Sequence, residues 1–172
     1  LINFIKLMKK KYNDITYVFH STGDHNELIQ SFIKKSNLSN CEIIIDDKIK
    51  AHLLKKSIFA VAKSGTVSLE ICKAKIPSII FYKINFINYI IIKMLVKTKY
   101  VNIINIAANK EIIPELLQSK CNAENICNLV SEFLDNPSKI KEQIEKTKVV
   151  LSNFKTDKPP SELASAALNK II

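Results

Sequence analysis

The chain has 172 residues, of which 47% are hydrophobic and 24% charged, with a net charge of +10 at pH 7. A domain takes roughly 150 residues, so the length supports about one domain with a genuine core, and the composition excludes wholesale disorder and fibrous repeats. The excess of positive charge would suit nucleic acid, an anionic membrane face or a phosphorylated ligand.

The predicted elements run as follows. Residues 1–10 carry apolar positions at 1, 2, 4, 5, 7 and 8 with lysines between them, a helical period with no N-cap of its own. The chain enters this pattern directly at Leu1, without Met, and so reads as the downstream part of something longer. A β-rich run at 15–20 closes on Ser21-Thr22-Gly23, and 26–35 is an amphipathic helix with Leu28, Ile29, Phe32 and Ile33 on one face. A short strand at 42–45, a small helix at 48–56 and a buried strand at 58–62 come next. Ser64-Gly65-Thr66 then opens a helix over 67–74, followed by a strand at 77–82, a helix at about 86–96 and a strand at 100–104. From about residue 112 the pattern is helical, with helices at 122–134 and 138–151, a linker at 155–160 and a final Ala-rich helix at 161–172.

Strands separated by helical segments of about ten residues imply right-handed crossovers. The expected fold class is therefore α/β, a doubly wound parallel sheet with an all-helical C-terminal tail. The chain is expected to divide into a sheet unit (1–120) and a helical tail (121–172). The longest uncharged apolar stretch, 84–92, is nine residues, far below the ~20 needed to span a bilayer.

Ile (29), Lys (26) and Asn (16) dominate the composition, so single residues of these types say little. Glycine occurs only twice, where a usage of roughly 7% would give about twelve, and each therefore needs a reason. Every basic residue is lysine. Nucleic-acid binders favour the bidentate fork of arginine, and these lysines are scattered rather than gathered with aromatics, so nucleic acid is not an expected partner. Cys41, Cys72, Cys121 and Cys127 have neither CxxC spacing nor a His placed to complete a zinc pattern. They are expected as reduced, mostly buried thiols.

In open α/β sheets ligands bind beyond the C-terminal ends of the strands. Three loops qualify. In Ala62-Lys63-Ser64-Gly65-Thr66 a buried strand turns through one of the two glycines into a helix, where backbone can approach an anion and first-turn N–H groups favour phosphate. Glu70, one turn on, is placed to accept from ribose hydroxyls. The same residues equally describe a plain strand-to-helix turn with Ser64 as N-cap and Glu70 as a surface acid. The loop 20–24 holds Gly23 beside His20, Asp24 and His25, either a His/Asp pair or, more simply, a polar N-cap region. The loop 105–111 offers Asn105, Lys110 and Glu111. Asp46 and Asp47 are adjacent and read as solvated turn residues rather than an acid/base pair, and His52 reads as structural.

The run Ala62-Lys63-Ser64-Gly65-Thr66-Val67-Ser68-Leu69-Glu70, then Pro77, then the segment from Leu95 to Val101, then Asn105 and the segment from Lys110 to Gln118 resembles the lipid-A-disaccharide synthases, GT-B glycosyltransferases of Gram-negative outer-membrane synthesis. The resemblance runs in order through essentially the whole chain. It implies that residues 1–120 form the Rossmann-like unit binding the donor nucleotide, with Ser64, Gly65 and Thr66 on the diphosphate, Glu70 on the ribose, and Asn105 lining the site. His20, Gly23, Lys110 and Glu111 are further candidates to line it. The implied substrates are UDP-2,3-diacylglucosamine and 2,3-diacylglucosamine 1-phosphate, joined in a β-1,6 disaccharide with release of UDP, without cofactor or metal. No catalytic residue is expected in this part of the enzyme. The implied partner is an N-terminal half bearing the acceptor site, absent here together with the first central strand and its Gly-Ser-Arg loop. A cytoplasmic location, peripheral at the inner membrane, and a homodimer are compatible with the same resemblance. A helix presenting Phe86, Tyr89, Ile90, Met94 and Leu95 among Lys83, Lys93, Lys97 and Lys99 would supply membrane contact; its alternative is a crossover helix buried on the sheet. Position 104 is Ile where the family usually has Pro, 109 is Asn for Gly, and Lys110 stands for Arg. The alternatives to a working enzyme part are an inactive remnant of a split gene and a nucleotide-sugar-binding module of another transferase.

Overall fold

A computed structural model describes residues 1–21, 23–95, 98–155 and 157–169, without the side chains of Phe86, Ile91, Ile92, Lys93, Leu95 and Pro160. Helix α1 (Ile2–Lys11) leads to β1 (Tyr17–His20), α2 (Asn26–Lys35), β2 (Cys41–Ile44), α3 (Asp47–Lys56) and β3 (Ala60–Lys63). Then come α4 (Val67–Lys73), β4 (Ser78–Tyr82), α5 (Phe86–Leu95), α6 (Ile103–Ala108), β5 (Glu115–Leu117), α7 (Ala123–Leu134), α8 (Pro137–Ser152) and α9 (Pro160–Leu168). All pairings are parallel: β1 with β2 in a two-stranded sheet, and β3–β4–β5 in a three-stranded one. The alternation of strand and helix thus yields the expected α/β architecture of parallel strands with crossover helices.

Strand β4 shows why both faces are covered. Its consecutive residues Ile79 and Ile80 are both 0% exposed, and pleating sends them to opposite faces. Ile79 packs with Phe4, Ile5 and Met8 of α1 and Ile126 and Val130 of α7. Ile80 packs with Ile71 and Cys72 of α4, Ile104 of α6 and Val150 of α8. Burying each isoleucine contributes about 1.5–3 kcal/mol, which is why this strand reads as a continuous apolar run rather than an alternating one. Buried Gln143 of α8 secures its start, accepting from Ser78 N–H (2.7 Å) and donating to Ser78 O (3.0 Å). Across the other face, Asp135 at the end of α7 accepts from Tyr12 OH (2.6 Å) and Lys11 Nζ (2.7 Å), tying down the end of α1.

Three sequence expectations fail here. The segment 100–104 is not a strand, because Asn102 Oδ1 accepts the Ile104 N–H (2.9 Å) and starts α6 instead. The last strand is β5, beyond Pro114, within a stretch read as helical; Ile80 pairs with Glu115 and Tyr82 with Leu117. Of the four free cysteines only Cys72 is buried, the other three being half-buried, so "mostly buried" does not hold. No helix among the described residues is long and apolar enough to cross a membrane, and none of the described residues after 120 lies in a strand.

Candidate functional site

Strand β3 delivers Lys63 to the C-terminal edge of its sheet, and the chain turns through Ser64, Gly65 and Thr66 into α4. Ser64 is not the N-cap. Its hydroxyl donates to Val101 O (2.8 Å), tying this turn to the loop before α6. Thr66 occupies the cap position without a side-chain bond, and the first turn is closed by Ser68, whose N–H (3.1 Å) and hydroxyl (2.6 Å) both donate to Gly65 O. A Cβ built on Gly65 meets no heavy atom within 4 Å. Packing inside the chain therefore gives no reason for glycine there, and the space in front of it is open. The backbone does give a reason, because Gly65 has φ +158 and Gly23 φ +102, both in the region that side chains rarely adopt; the Gly23 carbonyl accepts Asn26 N–H (3.1 Å).

The turn is held by a buried polar network that sequence reading did not identify. Glu115 at the start of β5 accepts the N–H groups of Val101 (2.9 Å) and Asn102 (2.9 Å) and the Nδ2 of Asn105 (2.8 Å). Asn105, 0% exposed, also donates to Ile113 O (2.6 Å) and accepts Ile112 N–H (2.8 Å) and Ile113 N–H (2.9 Å). Two donors and two acceptor positions exhaust an amide. Asn105 thus holds the 101–115 loop from beneath and has no group left to offer outward. The signal for Glu115 was weak: a single acid after a proline, in a segment that periodicity assigned to helix. Lys110 and Glu111, at the surface of the same loop, are exposed, and Glu111 accepts only Glu115 N–H at 3.3 Å.

Glu70 is half exposed and bonded to Lys50 Nζ of α3 at 2.7 Å. Lys50 also lies 4.0 Å from Asp47, which stands 3.6 Å from His20 Nε2 at the end of β1. This chain of charges joins the C-terminal ends of β1 and β3, so that His20, Glu70 and the Gly65 turn share one rim. His20 thus faces Asp47 rather than Asp24, and His25 sits at the start of α2 without a side-chain cap bond. Asp46 is the N-cap of α3, accepting Lys48 N–H (2.7 Å) and Ile49 N–H (3.0 Å), a more definite role than a solvated turn residue. A hollow of about 430 Å³ adjoins the network through Glu115 and is lined by Tyr89, Leu117, Gln118, Ser119 and Lys120, none of them a predicted site residue. No group of three or more His, Cys, Asp or Glu residues that would hold a metal occurs among the described residues.

Residues 1–168 match the family described as lipid-A-disaccharide synthetase. The chain belongs to this family. Similar curated proteins are the lipid-A-disaccharide synthases of Rickettsia prowazekii strain Madrid E, 36% identical over 172 residues (98% of this chain, 44% of the relative), and of Rickettsia typhi strain Wilmington, 34% identical over 172 residues (98% and 44%). That of Rickettsia bellii strain OSU 85-389 is 36% identical over 174 residues, covering 97% of this chain and 45% of the relative. The chain spans less than half the length of these relatives. Positions 104, 109 and 110, set against the family's expected residues above, have local readings. Asn109 ends α6 in the left-handed region (φ 47), where asparagine is the common substitute for glycine. Ile104 is fully buried in the core, and Lys110 points to solvent.

Proposed function

We propose that this chain is the donor-binding part of a lipid-A-disaccharide synthase and binds the UDP portion of a UDP-sugar against the Ser64-Gly65-Thr66 turn. The observation that carries the reading is the open space in front of Gly65, at the end of a parallel strand in a chain matched to the family over residues 1–168. A diphosphate in that space meets turn N–H groups, and nearby Lys63 and Lys50 add positive charge. Glu70 keeps one carboxylate oxygen on Lys50, leaving the other for ribose hydroxyls. His20 and Gly23 stand across the rim on the β1 side. Asn105 acts as a positioning residue, through Glu115 and Val101, rather than by touching the ligand. Lys110 and Glu111 border the site at most from the surface.

In the full reaction 2,3-diacylglucosamine passes from UDP to 2,3-diacylglucosamine 1-phosphate with inversion, through an oxocarbenium-like state. Backbone N–H groups and lysines neutralise the departing diphosphate, and the part of the enzyme outside the matched region supplies the acceptor site. Acylated substrates require access to a membrane face. Helix α5 suits that contact, because Ile87 (65%), Ile90 (43%) and Met94 (80%) are exposed and Lys83 and Lys99 lie near its ends. The side chains of Phe86, Lys93 and Leu95, and Lys97 altogether, lie outside the described residues. Hydrogen exchange tests the nucleotide assignment: saturating UDP slows the amides of residues 64–70 and leaves α7 unchanged. Unaltered exchange in that turn on a folded chain at millimolar UDP would refute it.

A further inference from the structure

We infer that Lys50 is a positioning residue for the ribose end of the nucleotide site: it holds Glu70 where a vicinal diol can donate to it, and so makes the site select ribonucleotides over deoxyribonucleotides. The inference rests on the nucleotide reading above and adds to it the residue that sets sugar specificity.

Lys50 is unlike other paired lysines of the chain. Its side chain is 15% exposed, whereas Lys11, Lys139, Lys146, Lys148 and Lys158, each in an ion pair, keep 39% or more of theirs in solvent. An ammonium withdrawn from water needs a partner, and Glu70 supplies one at 2.7 Å. Asp47, at 4.0 Å, adds charge without a hydrogen bond.

The pair is fixed from both helices. In α3 the Asp46 cap (2.7 and 3.0 Å) sets the first turn, from which Lys50 projects. Leu54, four residues further and therefore on the same face, packs against the core cluster that contains Ile71 and Cys72 of α4, so this face of α3 is turned toward α4. In α4 the Ser68 hydroxyl closes the first turn on Gly65 O (2.6 Å), and Glu70 follows two residues later. Lys50 thus bridges the helix after β2 to the helix after β3, beside the glycine turn.

The bridge has two effects that can be told apart. A half-exposed glutamate has three rotatable side-chain bonds, and ordering it on ligand binding costs affinity. With Oε2 bonded to Lys50 the side chain is ordered before the nucleotide arrives, and Oε1 is left as the acceptor for the diol. The ammonium also offsets a carboxylate charge that would repel a diphosphate at the neighbouring turn. The charge effect acts alike on every nucleoside diphosphate, whereas the ordering effect acts only on those with ribose hydroxyls. A ratio of affinities therefore isolates positioning from charge. Because an ion pair with a half-exposed partner adds little to stability, variants at Lys50 are expected to fold.

The test is calorimetric titration of the full 172-residue chain with UDP and with 2′,3′-dideoxy-UDP, which share base and diphosphate. The parent is expected to prefer UDP by about tenfold or more, as for a hydrogen bond to a charged acceptor. Lys50→Met, similar in length but uncharged, lowers that preference at least about threefold, and Lys50→Arg retains it. Lys50→Ser, too short to reach Glu70, repeats the comparison independently. Glu70→Ala abolishes the preference, and adding Lys50→Met to it changes the ratio no further. A folded parent that binds both nucleotides equally overturns the inference and leaves the diphosphate reading standing, whereas one that binds neither overturns both. An unchanged preference in folded Lys50→Met or Lys50→Ser, whatever the thermal midpoint, makes Lys50 merely structural and overturns the inference.

Discussion

Replacing Asn105 by alanine separates a residue that holds the site from one that touches its ligand. The substitution strands the N–H groups of Ile112 and Ile113, the carbonyl of Ile113 and one partner of Glu115, all now served by one fully buried amide. Each abandoned buried group costs about 1–3 kcal/mol, but the four share one cavity into which water can partly enter, so we expect about 3–5 kcal/mol in all. That is a large fraction of a margin of roughly 5–15 kcal/mol. The assay is urea unfolding followed by circular dichroism, with calorimetric titration of UDP on whatever fraction stays folded. Asn105→Asp serves as the companion: it keeps both acceptor bonds but loses both donors and sets a second carboxyl against Glu115, and should lose a comparable amount at neutral pH. If Asn105→Ala leaves the unfolding midpoint unchanged and only weakens UDP binding, the positioning role is wrong and Asn105 belongs in contact with the nucleotide.

Burial pushes the Cys72 thiol up to about 11 from 9.0. Below pH 9 both folded and unfolded chains keep the proton; between these values only the unfolded chain loses it, so stability falls by about 2–3 kcal/mol as pH rises to 11. In Cys72→Ala that part of the alkaline slope disappears, measured by urea unfolding across the range. Asp46→Ala removes the two N-cap bonds of α3 and should cost about 1 kcal/mol while leaving UDP affinity within error. If α5 meets membranes, the chain sediments with vesicles of anionic lipid; Ile87→Asp with Met94→Asp reduces that binding at least about tenfold, and binding that ignores both substitutions argues against this face.

How much of this was legible in the sequence depended on the range of the forces involved. The strands around Val18, Ile43, Val61 and Ile79 were readable because short apolar runs between amphipathic helices bury on both sides, a local signal. The β5 strand was not, because Glu115–Leu117 is three residues long and is defined by pairing with β4, a long-range fact. The error at 100–104 arose from β-branched residues whose preference was overridden by one capping bond from Asn102. At the site, the unusual glycine and the strand-to-helix change exposed the Ser64–Thr66 turn. The Glu115–Asn105 network stayed hidden, because hydrogen bonds between residues ten apart across a loop leave no periodicity. The Lys50–Glu70 pair was equally invisible, being a contact between helices after two different strands.

Calorimetric titration of UDP into the folded chain and its Gly65→Val variant tests the central claim most directly. A Cβ there meets nothing of the protein within 4 Å, but at φ +158 any side chain strains the backbone, so Gly65→Ala, which carries the same strain with less bulk, is titrated beside it and should retain more affinity. Circular dichroism and urea unfolding confirm that the variant is folded before titration. The account predicts saturable UDP binding by the parent chain, none by Gly65→Val, and retained binding by Asp46→Ala. Equal affinity in the parent and Gly65→Val, or no UDP binding by a folded parent chain, would contradict it.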